Sequence, residues 1–330
     1  MLTKLLHGVG VAAFLTGSMA AAQAQTTLRA SHQWPPGDVR HEMVQTIADE
    51  VAAADVGLEV QIYPAASLFE PREQWGALVE GQLDISAFPL DYASGRQPIF
   101  SATLMPGLVR NHDRAERLND SAFMDEIKQV IDEAGVMVLA DSWLAGAFAS
   151  KVNCITSPET IDGQVTRAAG PMFEQMLAGA GASIASMPSS EIYTAMQTGV
   201  LDAANTSSGS FVSYRIYEQA TCLTAPGDNA LWFMYEPILM SKQSFEELTP
   251  EQQEALLAAG QAAEEFFATQ ARDLDQELVE TFENAGVEVV TMSADDYQAW
   301  LDIAQETSYA TFAEEVEGGA ELIDKALAVE

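Results

Sequence analysis

One short segment sets an arginine where an anion is most easily held: Asp162-Gly-Gln-Val-Thr-Arg-Ala-Ala-Gly-Pro171. The residues around Arg167 predict a strand, and the Gly-Pro step directly after it predicts a helix start. That order puts a guanidinium at the carboxyl end of a strand, beside the unpaired amides of the next helix. Ligands of open α/β sheets bind at such strand ends. A planar guanidinium fork matches a carboxylate through two parallel hydrogen bonds, and a helix N-terminus favours the same charge. Read alone, the segment fits better a surface arginine paired with one of the chain's 49 acidic side chains.

Other chemistry is sparse. Beyond the first 24 residues the histidines are His32, His41 and His112. Thr206-Ser-Ser-Gly-Ser210 is serine-rich but is not the Gly-x-Ser-x-Gly elbow of hydrolases. It reads as a helix start or binding loop, and no catalytic residue is assigned. His32 and His41 lack the i, i+4 spacing of a helical metal pair, and no Asp-x-Asp-x-Asp-Gly calcium loop occurs. Gly179-x-Gly181 closes a predicted helix rather than opening one, so no phosphate loop is present. Neither a metal nor a cofactor is expected.

The elements that must position Arg167 alternate. Residues 28–34, 58–63 and 83–88 read as strands, with helices over 39–54 and 71–80. Strands over 136–140, 165–168, 183–187 and 201–205 follow, with helices over 171–180 and 190–198 between them. Such alternation predicts βαβ units and largely parallel sheets. Thr249-Pro-Glu-Gln252 is a helix start with a capping box and Pro at its first position. Only Gly260 interrupts the pattern before Gly286, so one helix is predicted over 250–284. At 1.5 Å per residue it reaches about 50 Å, longer than one lobe. A strand over 287–292 and a last helix over 293–310 end the pattern.

Residues 1–24 combine Lys4, an apolar run over 9–15 and Ala22-Gln23-Ala24, which predicts a cleaved signal peptide. The run is shorter than the roughly 20 apolar residues that span a bilayer, so the mature chain is not expected to insert in a membrane. About 300 residues remain, enough for two lobes rather than one core. Forty-nine acidic against 15 basic residues give a net charge of −34, which argues against nucleic acid as a partner. Either screening in a saline habitat or plain solubility accounts for that charge. Two cysteines in an exported chain allow a single pairing, Cys154–Cys222.

Residues 164–218 resemble the signature of the tripartite ATP-independent periplasmic (TRAP) transporter solute-binding family. The family runs from a strand ending in Arg-x-x-Gly, through a helix and a Gly-Ala turn, to Glu-x-Tyr-x-Ala-x-Gln-x-Gly-x-x-Asp. Here those positions read Arg167-Ala-Ala-Gly170, Gly181-Ala182 and Glu191-Ile-Tyr-Thr-Ala-Met-Gln-Thr-Gly-Val-Leu-Asp202. The likeness extends from His32-Gln33 to the helix after Leu248-Thr-Pro. It implies an α/β fold of the two-lobed, Venus-flytrap kind, with crossing hinge strands near 148–154 and 221–225 and a lobe-spanning helix. The first lobe would comprise residues 25–144 plus 233–272, and the second 145–232 plus 273–330.

The resemblance also implies a role: a periplasmic, monomeric subunit that closes on a small organic carboxylate and delivers it to TRAP membrane permease subunits. Arg167 matches the family's carboxylate-binding arginine. Asn205 and Thr206 fall where members carry ligand-bonding residues, and the Ser208 hydroxyl is a further donor. His32, Trp34, Phe69, Glu70, Phe88, Asp91, Trp143, Phe211 and Trp232, near predicted strand ends, complete the candidates. Many members carry a second arginine on the crossing strand, but here that stretch reads Leu144-Ala-Gly-Ala-Phe-Ala-Ser150. That loss favours a monocarboxylate with an apolar, aromatic or hydroxylated body over a dicarboxylate. A periplasmic sensor subunit is the alternative reading, and a periplasmic hydrolase a third.

Overall fold

The computed structural model describes residues 25–329, so the predicted signal peptide, 1–24, lies outside the described residues. The chain first lays down β1 (Thr26–Ser31), β2 (Leu58–Tyr63), β3 (Ile85–Ala87) and β4 (Val136–Ala140). It crosses through β5 (Trp143–Ser150) to build β6 (Val165–Ala168), β7 (Ser183–Ser186), β8 (Ala203–Ser207) and β9 (Cys222–Ala225). Then β10 (Phe233–Tyr235) pairs back onto β5, β11 (Ile238–Ser241) re-enters the first sheet, and β12 (Glu288–Thr291) edges the second. The strand orders are β2-β1-β3-β11-β4 and β12-β9-β5-β8-β6-β7. The result is a two-lobed α/β fold in which β1–β3 run parallel, as do β6–β8, while β5 and β11 run against their neighbours.

The helix Val39–Ala54, β2, β4 and β6 lie where the pattern predicts them. So does the helix Pro250–Asn284, with its capping box: Thr249 Oγ1 accepts from Gln252 N–H, and Gln252 Oε1 accepts from Thr249 N–H. Leu256, Ala259, Ala263 and Phe267 of this helix pack into the core of the first lobe, whereas Leu278 and Phe282 pack into that of the second. One rigid element therefore serves both. Gly260 sits where a Cβ would lie 2.3 Å from the Leu139 carbonyl oxygen, so the apparent breaker permits close contact with β4.

Several boundaries shift from expectation, two of them for a visible reason. The first strand ends at Ser31, because the Ala65 and Ala66 amides bond the Trp34 and His32 carbonyls and draw that stretch out of the sheet. The predicted last helix becomes Ala294–Ala304, a π-turn over Gln305–Tyr309, and Ala310–Glu315. A further helix, Gly319–Leu327, follows unannounced. Gly318 takes a left-handed φ of 73°, and a Cβ on Gly319 would stand 2.6 Å from the Phe312 carbonyl, so these glycines let the chain turn tightly and restart.

Cys154 and Cys222 are bonded, with Cα atoms 5.1 Å apart and a sequence separation of 68. Cys222 pairs with Ser150 in the sheet, so the bridge staples the end of the crossing strand. Closing a loop of this length stabilises the fold by about 4 kcal/mol on the chain-entropy model. The Cys154→Ala/Cys222→Ala double variant is expected to lose that amount in urea unfolding. An unchanged midpoint would contradict it.

Candidate functional site

Arg167 occupies the third position of β6 and is 1% exposed. Gly170 caps the helix Pro171–Gly179, so strand, arginine and helix start follow in the predicted order. The guanidinium donates from Nε to the Met187 carbonyl (3.0 Å), from Nη1 to the Asn205 carbonyl (2.8 Å) and from Nη2 to the Tyr92 hydroxyl (3.0 Å). All three partners are neutral, and Tyr92 comes from the opposite half of the molecule. A guanidinium has five N–H donors, so one on each Nη has no partner among the described residues. None of the ion pairs among those residues includes Arg167. Burial lowers its pKa from the ordinary arginine value, with Tyr92 opposing, but arginine stays charged in proteins. A buried cation with a free donor on each Nη calls for an anion.

The surroundings are equally incomplete. The Tyr92 hydroxyl accepts from Arg167 and from the Ser189 amide (3.0 Å), and its own proton finds no acceptor among the described residues. Asn205 gives Arg167 its carbonyl while both side-chain polar atoms lack partners. Asp91 is 1% exposed with both oxygens unpartnered, and burial pushes its carboxyl up to about 8. The Gln33 amide is buried and unpartnered at both ends, while its carbonyl accepts from Tyr214 across the lobes (2.8 Å). Native proteins rarely leave buried polar groups unpaired, because each costs about 1–3 kcal/mol. The unpartnered atoms of Asn205 and Asp91, with the free Tyr92 proton, make the Arg167 corner the candidate site.

An apolar wall completes the site. Phe148 lies opposite Asn205 in the sheet and packs against Phe173 and Trp300, with ring centroids 6.3 and 5.9 Å away. A second buried arginine, Arg40, is fully committed. It donates to Asp38 at 2.7 Å through both Nε and Nη2, to Glu236 and Ser207 at 2.8 Å, and to Ser210 at 3.1 Å. Its guanidinium also lies 4.1 Å from the Trp34 ring centre. All five donors are used, so Arg40 joins the lobes but has none left for a ligand.

The structure thus gathers Arg167, Asn205 and Asp91, and leaves the other predicted residues elsewhere. Thr206 faces the opposite side of β8, paired with Ala147 on the second lobe's own core. Ser208 Oγ donates to Asp275 (2.6 Å), whose other oxygen contacts His112 Nε2 (2.9 Å). The carboxylate stands between serine and imidazole, so the histidine cannot take the hydroxyl proton as in a hydrolase triad. Phe211 packs edge-on against Phe282 in the second core, 5.8 Å between centres. His32 is buried beside His41 (3.1 Å between ring nitrogens), and burial together with His41 lowers its pKa to about 3. Trp34 lies over Arg40, and Glu70 is exposed. Phe88 packs against Tyr92, and Phe69 against the same core.

Trp143 donates to Asn119 (2.8 Å) and lines a separate cavity of about 220 Å³. Trp232, packed on Gly146, lines another of about 380 Å³ together with Phe148 of the apolar wall, though none of Arg167, Asp91 and Asn205 lines it. The charge and the missing partners, rather than open volume, locate the site. Sequence reasoning missed Tyr92, Gln33 and the Arg40 cluster. Asp38 at a helix N-cap two residues before Arg40 was the one local signal for that cluster.

The family model for bacterial extracellular solute-binding proteins, family 7, matches residues 30–315. A solute-binding protein of Albidiferax ferrireducens is 36% identical over 327 residues, covering 97% of each chain. A TRAP periplasmic solute binding protein from Rhodoferax ferrireducens, solved with bound malonate, is 36% identical, with a TM-score of 0.88 over 92% of this chain and 98% of that one. An extracytoplasmic solute receptor of Bordetella pertussis binding pyroglutamic acid shares 21% identity and the same fold, with a TM-score of 0.84 over 92% and 99% of the two chains. With its two lobes, its lobe-spanning helix and a family match over nearly all the described residues, the chain belongs to family 7 of the bacterial extracellular solute-binding proteins.

Proposed function

We propose that the chain captures a small organic carboxylate in the periplasm, closes its lobes over it as a monomer, and presents it to the membrane permease subunits of a TRAP transporter. The observation that carries this reading is Arg167: a buried cation held by three neutral partners, with a free donor on each Nη and no salt-bridge partner among the described residues. The malonate held by the 36% identical relative supports the carboxylate class. A monocarboxylate with an apolar, aromatic or hydroxylated body rests on this chain's own residues, since Phe148 stands beside Asn205 and Arg40 is saturated. Closure would bring residues 25–144 plus 233–272 onto 145–232 plus 273–330, with β5 and the long helix acting as the hinge.

Micromolar capture corresponds to about −8 kcal/mol. Desolvating a carboxylate costs several kcal/mol, so Arg167 alone is insufficient and the neutral donors of Tyr92 and Asn205 must contribute. A thermal-shift screen of carboxylates, each beside its neutral amide, tests the reading. At a hundredfold excess over Kd, ligand adds about 2.7 kcal/mol. Cognate acids should therefore raise Tm by several degrees while their amides do nothing. Equal shifts from acid and amide would remove the anion anchor. Stabilisation by four-carbon dicarboxylates alone would remove the monocarboxylate preference.

A further inference from the structure

We propose that Asp91 determines specificity: it pairs with a hydroxyl or N–H group on the body of the acid whose carboxylate Arg167 holds, so donor-bearing acids bind in preference to the same acids without the donor. The inference rests on the carboxylate-capture reading above and names the ligand's second handle.

Asp91 belongs to the short 3-10 turn Leu90–Ala93, and the hydroxyl of the next residue, Tyr92, accepts from Arg167 and from the Ser189 amide. Its Oδ2 lies 1.4 Å from where a Cβ on Gly170 would stand, so only glycine there admits the carboxyl against the start of the helix that follows Arg167. The charged groups facing it are Arg72 before the neighbouring helix, Glu174 on the helix Pro171–Gly179, and Arg167 on β6. None of them bonds it, and both oxygens are buried without a partner. Arg72 is engaged elsewhere, over the Tyr92 ring (5.0 Å to its centre) and on Ser186 Oγ (3.2 Å).

A carboxyl left in this state is a strong acceptor awaiting a donor. Burial, with Glu174 adding and Arg72 and Arg167 opposing, favours its protonated form near neutral pH. A ligand hydroxyl suits that form as well as the ionised one: it can donate to the carbonyl oxygen or accept from the acid O–H. Leaving the group unpaired, as a donor-less acid would, forfeits roughly tenfold to a hundredfold in affinity.

The experiment is calorimetric titration with matched acids: lactate against propionate, 2-hydroxyisovalerate against isovalerate, and mandelate against phenylacetate. The wild type should prefer the hydroxy acid by about tenfold or more in each pair it binds. Asp91→Ala should reduce that preference to within about threefold. Asp91→Asn, which keeps a carbonyl acceptor, should retain part of it. Acids that bind through Arg167 with no hydroxyl preference, or a preference unaltered in Asp91→Ala, overturn the assignment. So does a preference for malonate over lactate that Asp91→Ala removes, since the aspartic acid would then be donating to a second carboxylate. Acids whose binding is indifferent to Arg167→Ala contradict the capture reading instead, which separates the two failures.

Discussion

Arg167→Ala is expected to lose at least the greater part of measurable affinity for every acid that stabilises the wild type, while the protein still folds. Truncating one partner of a buried, hydrogen-bonded charge pair costs about 2–5 kcal/mol, roughly thirtyfold to several thousandfold in Kd. The fold should tolerate the change because the side chain makes two opposite contributions. Its bonds to Met187, Asn205 and Tyr92 are lost, but so is a buried positive charge with no counter-ion among the described residues. The ligand-free variant should therefore melt close to the wild type, with its circular dichroism unchanged. Arg167→Lys separates charge from shape. An ammonium keeps the cation but cannot donate from two separate nitrogens as the guanidinium does, so its affinity should fall between wild type and alanine. Titration of the three proteins with one cognate acid decides the matter. Wild-type affinity in Arg167→Ala would leave the carboxylate held by something else.

The features readable from the sequence are those whose cause is local. Arg167 could be found because strand, arginine, Gly170 and Pro171 are contiguous, so connectivity alone places the guanidinium at a strand end. The 250–284 helix was legible from its own cap, and the disulfide from having a single possible pairing. Asp91 and Asn205 lay near strand ends, which was enough to nominate them but not to show that their polar atoms would lack partners. Tyr92 escaped notice because its role is a contact with a residue 75 positions away, created by the approach of two lobes. Glu236 and Ser207 reach Arg40 from 196 and 167 positions away, and no local pattern announces that. Two aromatic candidates lie away from the Arg167 corner for a common reason. Trp143 sits on the crossing strand before Gly146, where β5 still pairs with Tyr235 and not yet with β8, so it faces a different cavity. Phe211 follows β8 closely in sequence but packs on the far side of that sheet with Phe282. A strand end identifies a neighbourhood, whereas strand alternation and the hinge decide which side chains enter it.

Arg40→Ala is expected to be the most destabilising single change of those considered, by about 3–5 kcal/mol, because it leaves two buried carboxylates without their cation. In the wild type, burial raises Asp38 but Arg40 outweighs it, and the carboxyl stays below its ordinary value. Glu236 lies above its ordinary value because burial is only partly offset by Arg40. Removing the guanidinium leaves burial in control of both groups, so their folded pKa values move above the unfolded ones. A group shifted that way contributes stability at low pH and loses it as pH rises. The variant should therefore unfold much more readily than wild type at pH 8 and recover part of the difference by pH 5. The Ser207 and Ser210 hydroxyls, which Arg40 ties to the helix Val39–Ala54, lose their link between the lobes, so closure should weaken as well. An Arg40→Met, Asp38→Asn, Glu236→Gln triple variant, which removes the charges together, should be far closer to wild type in stability. Urea unfolding at the two pH values tests this account. A loss below about 1 kcal/mol, or one independent of pH, would mean that the cluster matters for its packing and not for its charge balance.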